Sequence, residues 1–196
     1  MPRMQLDKNK VVAAAAALVN ASGWEGLSLG ALAAELGVQT PSLYNHVDGL
    51  PGLRRELTLL STRLLGQRMA EAAIGKSGPG AVRAIAQAYR SYIKANPGVY
   101  LLGVRSAAFQ NPPDPELDAA QARVLEVTLA ALSDFHLSQP DALHAIRGLR
   151  SFIHGFATLE IAGGFGLPLD CDESFTRLIE GFIRDLQTRQ ENNPKI

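Results

Sequence analysis

The sequence predicts an all-α protein, and three observations support that prediction. Apolar residues recur at spacings of three and four along most of the chain, which is the period of a helix with one buried face. No segment shows the alternation of a half-buried strand, and no internal repeat is evident. Clusters of glycine and proline divide the apolar stretches into helix-sized lengths. A chain of 196 residues can bury a sizeable core in one or two domains.

The composition indicates a soluble protein of a reducing compartment. Cys171 is the only cysteine, so no intramolecular disulfide can form and the cytoplasm is the expected location. The longest apolar run, 11–19, has nine residues, whereas a membrane-spanning helix needs about twenty, and no signal peptide is visible. The 19 basic and 19 acidic residues give a net charge of zero, although nucleic-acid binders are usually more basic. Arg3, Lys8 and Lys10 nevertheless place positive charge in the N-terminal arm and first helix.

Three helices are predicted within residues 1–50, which form the first predicted domain. Asp7 caps the first helix, residues 7–22. Ser28 caps the second, because its hydroxyl can accept from a free amide of the first turn. Gly37 ends the second helix, where the chain needs a residue that tolerates positive φ.

The second and third helices have the spacing of a helix-turn-helix. Thr40 caps the third helix with its hydroxyl, and Pro41 follows at the first helical position, where its missing amide costs nothing. Ala33 supplies a small residue where the two helices cross, and Leu43 packs back across the first of them. In this motif the second helix enters the major groove of DNA while the first crosses the backbone. The alternative is a helical hairpin on the surface of some other all-α protein.

The outward face of the third helix favours the helix-turn-helix interpretation. An ordinary solvated helix usually carries Lys and Glu, but this face carries small or planar hydrogen-bonding groups. They are Gln39, Thr40, Ser42, Tyr44, Asn45 and His46.

Residues 7–57 resemble the DNA-binding region of the tetracycline-repressor (TetR) family of transcriptional regulators. The matching sequences, after a long first helix, are WEGLSL at 24–29, LAAELGV at 32–38 and PSLYNHV at 41–47. Family members typically carry Phe after the His and, a few residues later, a Lys that contacts phosphate. This sequence has Val47 and then LPG at 50–52. The Lys contact is therefore not carried over, and Arg54 or Arg55 is a candidate to replace it.

The resemblance implies a homodimeric transcriptional regulator, expected to be a repressor that binds a palindromic operator and is released by a small-molecule effector. The candidates for contacts with base edges are Gln39, Thr40, Ser42 and Asn45, since an Asn or Gln can read adenine through two hydrogen bonds. The candidates for phosphate contacts are Lys8, Lys10, Ser28, Tyr44 and His46, and Pro41 completes the expected DNA-binding set. The two recognition helices of a dimer would lie about 34–36 Å apart in successive major grooves.

Residues 51–196 form the second predicted domain, which consists of helices. Pro51 opens a long fourth helix that starts against the DNA-binding unit and ends in the remainder, so it is expected to act as a mechanical link. The predicted helices are 51–74, 81–95, 99–109, 116–135, 142–163 and 173–189, the last capped by Asp172.

The last two helices are apolar over a wide arc. In a monomer, this apolar surface would have to be covered by another part of the chain. We therefore expect a two-fold dimer in which each chain contributes this pair to a four-helix interface, as the last helices of the TetR family do. The expected interface residues are Ile146, Ile153, His154, Phe175, Ile179 and Phe182. Residues 150–160 also resemble a branch of the family named for a Trp-His-Gly signature, with His154 and Gly155 present and no Trp nearby.

A ligand pocket is expected in the middle of the second domain, where several helices carry aromatic residues with a few polar groups. These residues are Tyr89, Tyr92, Tyr100, Phe109, Phe152 and Phe156. The alternative is that each belongs to the plain core. The resemblance favours a pocket, since family members commonly hold an effector in this region.

No pattern typical of an enzyme is present, and no cofactor is expected. The four histidines are scattered, and no spacing of His, Cys and Asp predicts a metal site. Two alternatives to a repressor stay open: a transcriptional activator of the same fold, and a helical dimeric adaptor that no longer binds DNA. Nothing in the sequence supports a third, a small-molecule enzyme.

Overall fold

A computed structural model describes residues 6–106 and 113–192, and it confirms the all-α prediction. Within these ranges every regular element is a helix. The α-helices are α1 Lys8–Ser22, α2 Leu29–Glu35, α3 Gly49–Ala73, α4 Gly78–Ala95, α5 Pro97–Ser106, α6 Pro115–Leu132, α7 Gln139–Ile161 and α8 Cys171–Asn192. Three short 3-10 helices lie at Trp24–Gly26, Thr40–Asn45 and Ser133–Phe135.

The helix boundaries follow the capping chemistry, with one correction. The Asp7 carboxylate caps α1 by accepting from the Lys10 amide at 2.9 Å, as predicted. The predicted cap of α8 at Asp172 is wrong, because Asp172 lies inside the first turn and its own amide donates to the Asp170 carboxylate at 2.8 Å. The predicted end of the α5 segment at Phe109 falls outside the described residues.

The described residues belong to two compact units. The first is drawn from Met1–Arg63 and Asn96–Asp118, and the second from Leu64–Ala95 and Ala119–Ile196. Helix α3 therefore contributes to both units. The predicted division of function after residue 50 stays a prediction.

In the first unit, α5 packs against α1 through a very close approach. A Cβ built on Gly98 would lie 2.1 Å from the carbonyl oxygen of Val19, a distance that no side chain can occupy. The same contact is fixed by Asn20, whose side-chain oxygen accepts from the Val99 amide at 3.0 Å. The backbones at the end of α1 and the start of α5 are thus in direct contact, and the Asn20 side chain links them.

Replacing Gly98 by alanine should lower the free energy of unfolding by about 2–3 kcal/mol, since over-packing a site of this kind costs about 1–3 kcal/mol and here the opposing atom is backbone. Gly103 on the same helix is the matched control, because its nearest neighbour to an added Cβ is the Ser61 hydroxyl at 3.9 Å. Urea unfolding of both variants measures the difference. Equal stabilities would contradict the close approach.

In the second unit, α4 packs against both α7 and α8. The residues of α8 that face the core recur at spacings of three and four and are almost fully buried: Phe175, Ile179, Ile183 and Leu186. In the described part of the chain, none of the helices is long and apolar enough to cross a membrane.

Candidate nucleic-acid interface and effector region

The turn that follows α2 has the hydrogen bonds that a helix-turn-helix needs. At the start of α2, the Ser28 hydroxyl accepts from the Ala31 amide at 3.0 Å. At its end, the chain turns at Gly37 with φ of 63°, and the Val38 amide donates to the Ala33 carbonyl at 2.9 Å. This is the Schellman arrangement that ends many helices at a glycine. The predicted cap and the predicted turn residue are both confirmed.

The predicted third helix is a 3-10 helix of six residues, Thr40–Asn45. The Ser42 amide donates to the Gln39 carbonyl and the His46 amide to the Leu43 carbonyl, each at 2.9 Å. These bonds join residues three apart, which defines a 3-10 helix. The predicted Thr40 cap is wrong, because Gln39 occupies the cap position and no side chain makes a capping bond there.

The 3-10 geometry decides which side chains of this segment face inward. Side chains three residues apart lie in one row in such a helix. Leu43 has no exposed surface and belongs to the core of the first unit. Thr40 and His46 share its row and are partly buried. Both predicted DNA contacts therefore lie at the edge of the exposed face rather than at its centre.

The neighbouring rows of the same segment face outward. Gln39, Ser42 and Asn45 form one row, in which the first and last are exposed and Ser42 is partly buried. Pro41 is exposed, and Tyr44 keeps 60% of its surface accessible, which is high for an aromatic residue. The exposed face thus contains two amides, a hydroxyl and a phenol.

The predicted phosphate-contacting lysines are exposed and already lie near carboxylates. Lys8 Nζ lies 2.8 Å from the Glu56 carboxylate, and Lys10 Nζ lies 3.5 Å from the Asp7 carboxylate. Their side chains are 51% and 45% exposed. Ion pairs at such exposure are worth about 0–1 kcal/mol, so a phosphate group can compete for both lysines.

Arg55 is not available as a replacement for the family's phosphate-contacting Lys. Its Nη2 donates to Asp114 at 2.9 Å and to Glu116 at 2.6 Å, and its Nη1 lies 2.7 Å from Glu56. The hydrogen bond that the Arg55 guanidinium donates to Asp114, followed by the one that it donates to Glu116, raises its pKa. Arg54 instead lies over the Trp24 ring, 5.2 Å from its centre, and is the remaining candidate.

The six residues predicted to line an effector pocket lie in different surroundings. Tyr89 and Tyr92 are 6% exposed, and Tyr100, which belongs to the first unit, is 4% exposed. Phe156 is partly buried, and Phe152 is 41% exposed on α7. Phe109 lies outside the described residues. The assignment of these residues to a pocket stays a prediction.

Most of the residues expected in a dimer interface are covered by their own chain. Ile153, Phe175 and Ile179 are 1–2% exposed and Phe182 is 9% exposed, so they belong to the core and offer almost no surface to a partner. The other two, Ile146 and His154, are partly buried, and burial followed by the charge of Arg150 lowers the pKa of the His154 imidazole.

The exposed apolar side chains of α7 are different from those expected. They are Leu143, Phe152, Leu159 and Ile161. A cavity of about 490 Å³ lies between α7 and α8 beside Phe152, and the small residues Gly148 and Gly181 are in its wall.

A buried ionic cluster in the second unit was missed by the sequence analysis. Arg90 of α4 is 1% exposed, and its guanidinium binds the Glu160 carboxylate of α7 through Nε at 2.8 Å and Nη2 at 2.7 Å. Its Nη1 lies 2.7 Å from Asp172 of α8. The Arg90 hydrogen bonds lower the pKa of the Glu160 carboxyl. A single arginine among apolar helix residues gives no sequence signal that such partners surround it.

Among the described residues, no group of three or more His, Cys, Asp or Glu side chains could hold a metal ion.

Comparisons with known proteins agree with this architecture. Residues 82–182 match a family model described as "Tetracyclin repressor-like, C-terminal domain". The chain is 33% identical over 192 residues to the uncharacterized HTH-type transcriptional regulator YobS of Bacillus subtilis (strain 168), an alignment that covers 97% of this chain and 98% of that protein. It is 30% identical over 166 residues to the tetracycline repressor protein class A from transposon 1721 of Escherichia coli, covering 81% of this chain and 69% of that one.

A similar fold occurs in the crystal structure of a TetR variant from Acinetobacter baumannii AYE in complex with minocycline. The TM-score is 0.69 at 21% identity, over 95% of this chain and 99% of the other. The family model covers the C-terminal helices, and the alignment with YobS spans the helix-turn-helix as well. The chain belongs to the TetR family of transcriptional regulators.

Proposed function

We propose that the protein is a homodimeric transcriptional repressor that binds a palindromic DNA operator in the cytoplasm and is released from it by a small-molecule effector. The observation that supports this most strongly is the outward-facing row of Gln39, Ser42 and Asn45, whose two amide side chains are exposed on a capped helix-turn-helix. Relatives named as an HTH-type transcriptional regulator and as a tetracycline repressor support it further.

The proposed contacts with bases follow from the rows of the 3-10 helix. Gln39 and Asn45 can each read adenine through two hydrogen bonds to its major-groove edge, and Ser42 lies between them. Thr40 is the least favoured of the four base-reading candidates, because it shares the row of buried Leu43.

The proposed contacts with phosphate surround this row. Tyr44 is exposed enough to reach the DNA backbone, and Lys8 and Lys10 can exchange their carboxylate partners for phosphate oxygens. The Ser28 hydroxyl marks the start of α2, where free amides favour an anion. Contacts of this kind position a protein on DNA, whereas base contacts specify the sequence.

A second copy of the chain is the proposed partner of the α7–α8 surface. The exposed Phe152 and Leu143 leave apolar area uncovered, and Gly148 and Gly181 in the cavity wall allow a helix to approach closely. The same surface carries Asp141 and Asp185 beside Arg177 and Arg189, so a two-fold axis can pair opposite charges. The dimer would bring its two recognition segments, residues 39–46 of each chain, to successive major grooves.

Effector release requires that the effector bind more tightly to the state that does not bind DNA. A TetR variant with this fold was crystallised with minocycline, which supports a small-molecule effector, and the C-terminal helices are its proposed site. Helix α3, with 25 residues, begins beside the recognition segment and contributes to both units. It is the proposed route by which ligand binding changes the spacing of the two recognition segments.

The proposal is tested by selecting bound sequences from a random pool of DNA duplexes. We expect a two-fold symmetric motif with half-sites about 10 base pairs apart, bound more weakly as salt rises, since phosphate contacts release counterions. A variant with both Gln39→Ala and Asn45→Ala is the control and should enrich no motif. A folded wild-type dimer that enriches no sequence would contradict the proposal and favour the adaptor alternative.

Tyr44→Ala should weaken binding to operator and to unrelated DNA by a similar factor. The phenol is proposed to contact phosphate, and such contacts carry no sequence information. Fluorescence anisotropy with both duplexes at one salt concentration measures the two affinities. A loss confined to one operator position would show that Tyr44 contacts a base instead.

A further inference from the structure

We propose that Arg90 is the recognition group of an anion site, where the carboxylate of a small acid with an apolar body takes the place now held by Asp172. The site lies in the second unit among α4, α7 and α8. The inference rests on the proposed function in one respect, that this acid is the effector.

Arg90 supplies a fixed positive charge in apolar surroundings. The guanidinium cannot be deprotonated in a protein, and its central carbon lies 5.4 Å from the Phe156 ring centre and 4.8 Å from that of Phe175. A charge in such a place needs an opposite charge at hydrogen-bond distance. The position opposite Nη1 therefore selects for an anion.

The two anions that now satisfy Arg90 are held very differently. Glu160 accepts two hydrogen bonds from the guanidinium and lies 2.6 Å from Lys94 Nζ, with its side chain 13% exposed. Asp172 makes one ion pair at 2.7 Å while its side chain is 76% exposed. Water already surrounds most of that carboxylate, so replacing it costs little. Asp172 is the exchangeable partner.

Helix α8 does not need the Asp172 side chain to begin. The Asp170 carboxylate accepts from the Asp172 amide at 2.8 Å, so the first turn keeps its cap when Asp172 turns outward. The preceding connector, 162–170, is exposed throughout. With Asp172 turned away, Arg90 and Lys94 face the single carboxylate of Glu160, which leaves an excess of one positive charge.

An apolar cavity shares Phe156 with this charge: the Phe156 ring centre is 5.4 Å from the guanidinium carbon and is part of the cavity wall, while Arg90 and Asp172 themselves are not. Its volume is about 240 Å³, and its wall includes Phe156, Phe165, Leu167 and Leu169, with Cys171 and Ser174 on either side of Asp172. Pockets for drug-sized ligands are larger, about 300–1,000 Å³. A cavity of this size suits an acid with one aromatic ring or a short chain. Charge and cavity together define the class of ligand.

The test uses benzoate and its neutral counterpart benzyl alcohol, titrated by calorimetry into the full-length protein without DNA. Wild type should bind benzoate, and Asp172→Asn should bind it about fivefold more tightly, since the variant removes an internal competitor worth as much as an exposed ion pair. Glu173→Gln is the matched control, because Glu173 lies on the same turn but pairs with Arg177. The Glu173→Gln variant should bind benzoate with the same affinity as wild type. Benzyl alcohol should bind at least about tenfold more weakly than benzoate, because a charged hydrogen-bond partner contributes more to binding than a neutral one.

Three results would overturn the proposal: no benzoate binding by Asp172→Asn, equal affinities for benzoate and benzyl alcohol, or an affinity that Asp172→Asn leaves unchanged or weakens. Thermal unfolding of both variants verifies that they are folded, which their exposed positions favour. Because no DNA is present, failure here leaves the operator proposal standing. If no operator were found, the measured benzoate affinities would still stand, so the two proposals can fail independently.

Discussion

Arg90→Met should lower the free energy of unfolding by about 3–5 kcal/mol, the usual cost of removing one partner from a buried ion pair. Glu160, only 13% exposed, would lose both hydrogen bonds from the guanidinium. Lys94 stays 2.6 Å from it, which favours the lower end of the range. Urea unfolding measures the loss as the difference in free energy of unfolding between the variant and wild type. The two proteins should show the same dependence of that free energy on urea concentration.

Arg83→Met, on the same helix α4, provides the control for this prediction. Arg83 also forms an ion pair with a glutamate, Glu180 of α8, but the two side chains are 50% and 30% exposed. Its loss should cost no more than about 1 kcal/mol. The double variant Arg90→Met with Glu160→Met should recover most of the stability, since a buried ion pair replaced by apolar side chains is often neutral. An Arg90→Met variant no less stable than Arg83→Met would show that the cluster is not buried in solution.

The features predicted correctly from sequence are those set by residues close together in the chain. Asp7, Ser28 and Gly37 each act within three or four residues, through a cap or a left-handed turn, and the side-chain chemistry of each is sufficient to predict its role. The spacing of apolar residues in α8 likewise predicts which of its residues are buried. The TetR resemblance added the family, which periodicity alone does not supply.

The features that sequence reasoning missed depend on distant residues or on small energy differences. Arg90 and Glu160 are separated by 70 positions, so neither predicts the other. The change from α to 3-10 geometry in Thr40–Asn45 involves only a few hydrogen bonds. The spacing of apolar residues identifies the apolar side of α7, but it does not show which part of the protein covers that side. Neighbouring Phe152 and Ile153 are 41% and 1% exposed, and only packing separates an exposed apolar residue from a core residue.

Asn45→Ala should reduce operator affinity by about 1–3 kcal/mol in each half-site, the usual worth of a bidentate contact between a side chain and a base. Asn45 is exposed at the end of the outward row of the recognition segment, and nothing in its position requires it for the core that Leu43 enters. Its amide can pair with both groups of an adenine edge, which alanine cannot. Affinity for unrelated DNA should stay the same, because non-specific binding is electrostatic.

The most specific test of this role is how the loss of affinity depends on the operator position that is changed. In a set of duplexes that changes one base pair at a time, the variant should lose discrimination at one position in each half-site and keep it elsewhere. Gln87→Ala, which removes an exposed amide from α4, is the control and should leave both affinity and preference unchanged. A uniform loss over all duplexes would assign Asn45 to the phosphate backbone. Base reading would then fall to Gln39 and Ser42, the other two members of the row.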